Sequence, residues 1–276
     1  MKTITTLTAT LLAHLPVSVF AQDTTEDTFA GHDIYFTVSG GLVSAPSFLG
    51  SGETTTYAIP NISVAIGDRL SISLLEGVSY DVYKSNNLTA GAVLTYDFGR
   101  EDTPSNHPLL LSGVASSEIA GLGDIEETAE FGGYIEYTYG NLQASIAVRK
   151  GVDGGHAGIV GDVDVTYNAA VELFGAQSVL SIGPSASFSD DRYASTFFDV
   201  SAAQSAASGI SEYDAGGGLM SYGVHASAYV PLNEHVALVG FAEFDQLTGD
   251  VRDSSIVQER GSEEQVTAGL MINYTF

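Results

Sequence analysis

The last thirteen residues, Glu264 to Phe276, constrain the chain more than any other stretch. Val266, Ala268, Leu270, Ile272, Tyr274 and Phe276 fall on one face, and Thr267, Gly269, Met271, Asn273 and Thr275 on the other. Strand side chains point alternately to opposite faces, so this segment has one apolar and one mostly polar surface. A buried strand of a soluble sandwich would alternate in the same way. The ending on Tyr274-Thr275-Phe276, with no polar tail, fits better the closing strand of a membrane barrel, whose aromatics sit at the interface.

Residues 1–21 read as an export signal: Lys2 supplies positive charge, Ile4 to Phe20 are broadly apolar, and Val19-Phe20-Ala21 is a small-x-small cleavage site. A polar leader is expected over 22–32 and one domain over 33–276. No later run approaches the roughly 20 apolar residues of a membrane helix. Any crossing must therefore be made by strands, because in lipid only helices and closed barrels satisfy their own backbone. Without cysteine there is neither a disulfide framework nor a thiolate metal site. With 9 basic against 34 acidic residues, nucleic acid and anionic membrane surfaces are excluded as partners, since both demand Lys and Arg. The plain reading of the charge is a solubilising exterior.

Period-2 runs recur along the mature chain. They occupy 33–43, 69–83 (with Glu76 as a misfit), 87–98, 127–139, 141–150, 159–171, 178–188, 218–230, 235–246 and the closing stretch. Each is long enough for the 9–11 residues of a tilted transmembrane strand. Gly140-Asn141 is a hairpin signal. Residues 57–66 contain Pro60, which cannot donate to a ladder, and are left out. The expectation is an all-β, transmembrane, antiparallel up-and-down barrel of about ten strands, with twelve as the alternative. Short turns lie on the periplasmic side, and longer loops at 44–68, 99–126, 151–158, 189–217 and 247–263 lie outside. A short helix is expected near Val200 to Ala207.

Opposite the apolar stripes lie Asp97, Glu130, Glu136, Arg149, Asp162, Asp164, Asn168 and Glu243, which predict a polar, acidic lumen. Contiguous acidic pairs such as Asp190-Asp191 point to opposite faces and do not converge. Asp162 and Asp164 share a face, but no calcium-loop motif accompanies them. His32, His107, His225 and His235 read as structural; His156 sits in a Gly-rich turn, but one imidazole is not a site. No nucleophile–His constellation is legible, so no catalytic residue, cofactor or metal is expected.

The loops resemble a known family. Pro46-Ser47-Phe48-Leu49-Gly50-Ser51 is followed by Ile59-Pro60-Asn61-Ile62, Gly99-Arg100, Leu122-Gly123-Asp124-Ile125 and Gly154-Gly155-His156-Ala157-Gly158. The densest stretch is Gly183-Pro184, Asp190-Asp191-Arg192-Tyr193, Phe198-Asp199-Val200-Ser201, Gln204-Ser205, Ser208-Gly209 and Tyr213. Leu247, Gly249-Asp250, Asp253-Ser254 and the Tyr274, Phe276 ending complete it. In this order and spacing the set resembles the MipA/OmpV family of outer-membrane proteins, departing from it at Phe48, Asp199 and Ser255. The resemblance implies a non-catalytic barrel in the outer membrane of a Gram-negative bacterium, in contact with its lipid. It also implies an envelope scaffold for a periplasmic lytic transglycosylase and a murein synthase. The residue reading alone leaves a narrow, weakly cation-selective channel as the alternative. The resemblance attaches no known role to its loop positions Gly50, Ser51, Arg100, Gly123, Asp124, His156, Tyr193, Ser208, Gly209, Asp250 and Ser254.

Overall fold

The computed structural model describes residues 28–29, 32–102 and 117–276. The expected export signal, most of the leader and His107 lie outside them. A two-residue strand, β1 (Thr28–Phe29), lies against the start of β2 (His32–Pro46). Then follow β3 (Thr54–Ile66), β4 (Leu70–Ser73), β5 (Gly77–Lys84), β6 (Leu88–Asp97), β7 (Thr128–Tyr139), β8 (Leu142–Gly154) and β9 (Ile159–Leu173). β10 (Ala176–Ser189), β11 (Gly218–Pro231), β12 (Val236–Leu247) and β13 (Glu264–Thr275) complete the series. From β2 onward each strand pairs antiparallel with the next, and β13 returns to β2 from Ala268↔Ser44 to Thr275↔Thr37. The closing strand of the sequence closes the sheet into a barrel.

The alternation sorts as the sequence reading expects. Leu42 and Ile146 are 59% and 53% exposed on the outer surface, an exposure that lipid makes favourable. Exposed aromatics gather near both ends of the strands. Tyr96, Phe131, Phe188 and Tyr222 lie toward the outer rim, and Tyr83, Tyr139, Tyr167 and Tyr274 toward the other.

The barrel has twelve strands, the alternative count, and two local errors explain the lower one. The run 69–83 is two strands: Glu76 ends the turn between β4 and β5, where Ser73 pairs with Gly77. The other error concerns 57–66, which forms β3 despite Pro60, paired with β2 throughout and with Pro60 opposite Gly40. Leu74 N–H donates to the Ile62 carbonyl at 3.0 Å, so Ile62 and, two places before it, Pro60 turn their backbone groups toward the β4 side. β4 pairs with β3 only over Ser63–Ile66, so the missing donor of Pro60 falls where no ladder continues. β4 and β5 have four and eight residues, short of the 9–11 needed to cross a bilayer, and the wall is low on this side.

The connections at 67–69, 85–87, 140–141, 174–175 and 232–235 are tight, and the C-terminus lies on their side. Among the described residues, the long loops at the other mouth carry a 3-10 turn (Ser117–Ile119) and four helices: α1 (Asp191–Phe198), α2 (Ala202–Ser208), α3 (Gly249–Asp253) and α4 (Ser255–Arg260). The expected helix near 200–207 is α2, capped by Ser201 and Gln204 in a capping box. The other three were not expected. These loops fold together into a cap with its own apolar core. One cluster joins Tyr193, Phe197, Phe198, Leu247, Val251 and Val257; the other joins Phe48, Ile119, Leu122, Val200, Ile210 and Ile256.

Candidate functional site

Beneath the cap, five side chains converge on the inner wall and one comes down from α1. Thr95 of β6 pairs with Glu130 of β7, so Asp97, two places on, shares that face. Gly132 pairs with Arg149 of β8, and Ala147 of β8 pairs with Asp162 of β9, which by the same period brings Arg149 and Asp162 alongside. His156 enters from the loop between β8 and β9, where its N–H donates to Thr128 Oγ1 at 3.0 Å. At Gly158 of this loop an added Cβ would meet Tyr193 N at 2.3 Å, so α1 settles on the loop only because that residue lacks a side chain.

The contacts form a chain. Arg149 Nε donates to Glu130 Oε2 at 3.1 Å, and Arg149 Nη1 lies 2.8 Å from Asp162 Oδ2. Ser187 Oγ donates to Asp162 Oδ1 at 2.7 Å. Asp97 Oδ1 accepts the Gly99 N–H at 2.8 Å, and Asp97 Oδ2 accepts the Tyr193 hydroxyl at 3.3 Å. His156 Nε2 stands 3.4 Å from Glu130 Oε1 and 3.9 Å from Asp97 Oδ2. The His156 ring meets Tyr193 and Phe197 edge-on, at centroid distances of 5.0 and 5.9 Å. Burial and then the Asp97 charge push the Tyr193 phenol well above its ordinary range, so it stays protonated and donates.

Of the residues predicted to line the lumen, the structure gathers Asp97, Glu130, Arg149 and Asp162 here. It places the others lower or elsewhere on the inner face. Asp164 accepts from Ser145 at 2.9 Å, and Asn168 accepts from Ser181 at 2.6 Å. Glu136 is half-buried, and Glu243 is buried opposite His225. His225 Nε2 is 3.0 Å from Thr166 Oγ1, and His235 Nδ1 is 2.9 Å from the Thr275 carbonyl oxygen.

Most of the loop positions tie the cap together. Gly50 N–H donates to Gln265 Oε1 at 3.0 Å, and Ser51 Oγ to Glu118 Oε2 at 2.7 Å. Arg100 is buried and donates to the Phe197 carbonyl at 2.6 Å; burial lowers its guanidinium to about 10, which leaves it charged at neutral pH. Gly123 N–H donates to Asp102 Oδ2 at 2.9 Å, and Asp124 Oδ1 accepts the Asp102 N–H at 2.9 Å. Ser208 Oγ donates to the Gln204 carbonyl at 2.7 Å, and Gly209 ends α2 in the left-handed conformation. Asp250 accepts the Gly216 N–H at 2.8 Å, and Ser254 Oγ donates to the Phe198 carbonyl at 2.8 Å. At the opposite rim Tyr274 stacks on His235 and packs against Phe276.

No curated protein matches the chain significantly. Among solved structures it is similar to OprD from Pseudomonas aeruginosa, with 14% identity and a TM-score of 0.36 over 87% of this chain and 65% of that one. It is similar to Pseudomonas putida OprB, with 10% identity and a TM-score of 0.38 over 80% and 59%. An anion-selective porin from Comamonas acidovorans shows 12% identity and a TM-score of 0.34 over 89% and 99%. The chain thus spans less than two thirds of OprD and OprB, and at these scores the likenesses carry nothing about activity. The match in sequence is to the family described as MltA-interacting protein MipA, over residues 38–276. It takes in every strand from β3 onward, most of β2 and all the cap loops, and the chain belongs to that family.

Proposed function

We propose that this protein is a non-catalytic barrel of a Gram-negative outer membrane that does not conduct and serves as an envelope scaffold. The observation that carries the reading is the cap: loops from four connections, 47–53, 98–127, 190–217 and 248–263, pack together through two apolar clusters across the outer mouth, as a folded domain does and a mobile pore loop does not. The family's description, an interaction with MltA, directs the scaffold reading toward murein-remodelling enzymes such as a lytic transglycosylase and a murein synthase.

Docking from the periplasm falls to the rim, because the turns there are short. The turns of that rim carry two exposed large apolar side chains: Phe174, 94% exposed with φ of 54°, and Leu232, 56% exposed. A bulky residue at positive φ is strained, and strain held at an exposed aromatic favours a contact made there. Capture of a purified lytic transglycosylase on the folded barrel tests the reading. Phe174→Ser with Leu232→Ser should lower capture about tenfold, with unchanged heat-modifiable migration. Equal capture by an unrelated barrel would count against the scaffold.

The acidic inner wall favours the channel reading, and planar-bilayer recording separates the two. A silent intact barrel supports the scaffold; stepwise cation current supports the channel.

A further inference from the structure

We propose that Asp97, Glu130 and His156 form a binding site for one divalent d-block cation, with Zn²⁺ the ion its donors fit best. The proposal is independent of the scaffold reading. The three residues come from β6, β7 and the β8–β9 loop, and one donor atom from each lies within 4.8 Å of the others. His156 and Glu130 are only 4% and 2% exposed. Glu130 Oε1 and both ring nitrogens of His156 are buried without a hydrogen-bond partner. Buried polar atoms of this kind are rarely left unsatisfied. Here the imidazole Nε2 and the two carboxylate oxygens nearest it face one another.

The two ways of satisfying them can be told apart. A protonated imidazole would attract both carboxylates but bury two N–H donors, neither in line with an acceptor. A neutral imidazole bound through Nε2 leaves only Nδ1 unmatched and turns both carboxylates into ligands. Tetrahedral Zn²⁺ with bonds of about 2.0–2.2 Å separates its ligand atoms by about 3.3–3.5 Å. The His156–Glu130 separation of 3.4 Å already matches, and the His156–Asp97 separation of 3.9 Å needs a shift of about half an ångström.

The surroundings are those of a ligand set. Glu130 is held through Oε2 by Arg149 and offers Oε1; Asp97 is held through Oδ1 by the Gly99 N–H, and its Oδ2, which accepts the Tyr193 hydroxyl at 3.3 Å, keeps a second lone pair for the cation. Asp97 has no guanidinium or ammonium within ion-pair distance among the described residues. A small cavity bordered by Phe48, Asp97, Arg100, Tyr193 and Phe197 adjoins the site at Asp97. One imidazole with two carboxylates suits Zn²⁺ better than Mg²⁺ or Ca²⁺, which take all-oxygen shells.

The test uses the tag-free mature barrel, folded in detergent and stripped with a chelator. Calorimetry should find one Zn²⁺ per chain, Co²⁺ should give the visible bands of a tetrahedral site, and Zn²⁺ should raise the melting temperature. Asp97→Asn and His156→Gln should each weaken Zn²⁺ by more than the roughly 10–100-fold that loss of an outer hydrogen-bond partner produces. Absence of saturable binding, or binding unchanged in both folded variants, would overturn the proposal. If a variant does not fold, the Co²⁺ spectrum of the unmodified barrel decides, and an octahedral or absent spectrum counts against the site.

Discussion

Asp190 holds two segments with one oxygen: its Oδ1 accepts the Tyr193 N–H at 3.0 Å, capping α1, and the Ile159 N–H at 2.9 Å at the start of β9. Burial pushes its carboxyl up, but these bonds outweigh burial and hold it below the ordinary range. A carboxyl lowered in the folded state stabilises above its unfolded pKa, about 3.9, and loses that contribution as pH falls through the folded value. The cap should therefore open to pepsin in acid while the strands stay protected. Asp190→Ala should open it already at neutral pH, at a cost of about 1 kcal/mol as for other N-caps. Asp190→Asn, which keeps an accepting oxygen, should flatten the acid dependence. At this scale the site was half legible. Alternation alone put Asp97, Glu130, Arg149 and Asp162 on the inner face. It could not bring His156 to them, because that depends on the bulge at Ala129/Glu130, the register of β6 through β9, and α1 closing from above. Asp190-Asp191 reads as two diverging acids in the sequence, whereas the first is a helix cap that accepts the backbone N–H of Tyr193 three places on.

At the scale of a strand, β8 tests the assignment of faces. Ile146, near the middle of β8, points to lipid, whereas Ser145 points inward and donates to Asp164. Ile146→Arg should cost about 2–4 kcal/mol in urea unfolding from lipid vesicles, the range for a cation near the bilayer midplane. Ser145→Arg adds the same charge one place away but beside Asp164, and should change stability by less than about 1 kcal/mol. Reversed magnitudes would mean the faces are exchanged. The faces were readable because lipid enforces the alternation along the strand. The strand count was not, since it hinges on single residues. Glu76 looked like a tolerated misfit in a long strand, yet it ends a turn. Pro60 looked like a breaker, yet its missing donor faces the place where β4 has already ended. α3 and α4, of five and six residues, are too short to show a helical period and stand by packing into the cap.

For the whole molecule, the proposed non-conducting state requires a lumen that is shut. Twelve strands lie between the eight that side chains fill and the sixteen that leave a channel, so closure must come from the cap, the inner wall or both. The loop between β10 and β11 separates these, since it contributes α1 and α2, and its flanking strands pair to their last residues, Ser189↔Gly218. A two-residue Asn-Gly turn in place of 190–217 would join them with hairpin geometry and leave the wall intact. It removes Tyr193, Phe197 and Phe198, and with them much of one cap cluster. The intact barrel should be silent in a planar bilayer, and the shortened one should show stepwise current. The inner wall that remains carries Glu130, Glu136, Asp162, Asp164 and Glu243 against Arg149, so that current should favour K⁺ over Cl⁻. The preference should weaken as salt rises from 0.1 to 1 M, where the screening length falls from about 10 to about 3 Å. A folded but silent shortened barrel would place closure in the wall itself, where Ser181–Asn168, Ser145–Asp164 and Tyr134–Asp81 already cross between strands. Equal current from both barrels would mean that the cap does not close the pore and that the non-conducting reading is wrong.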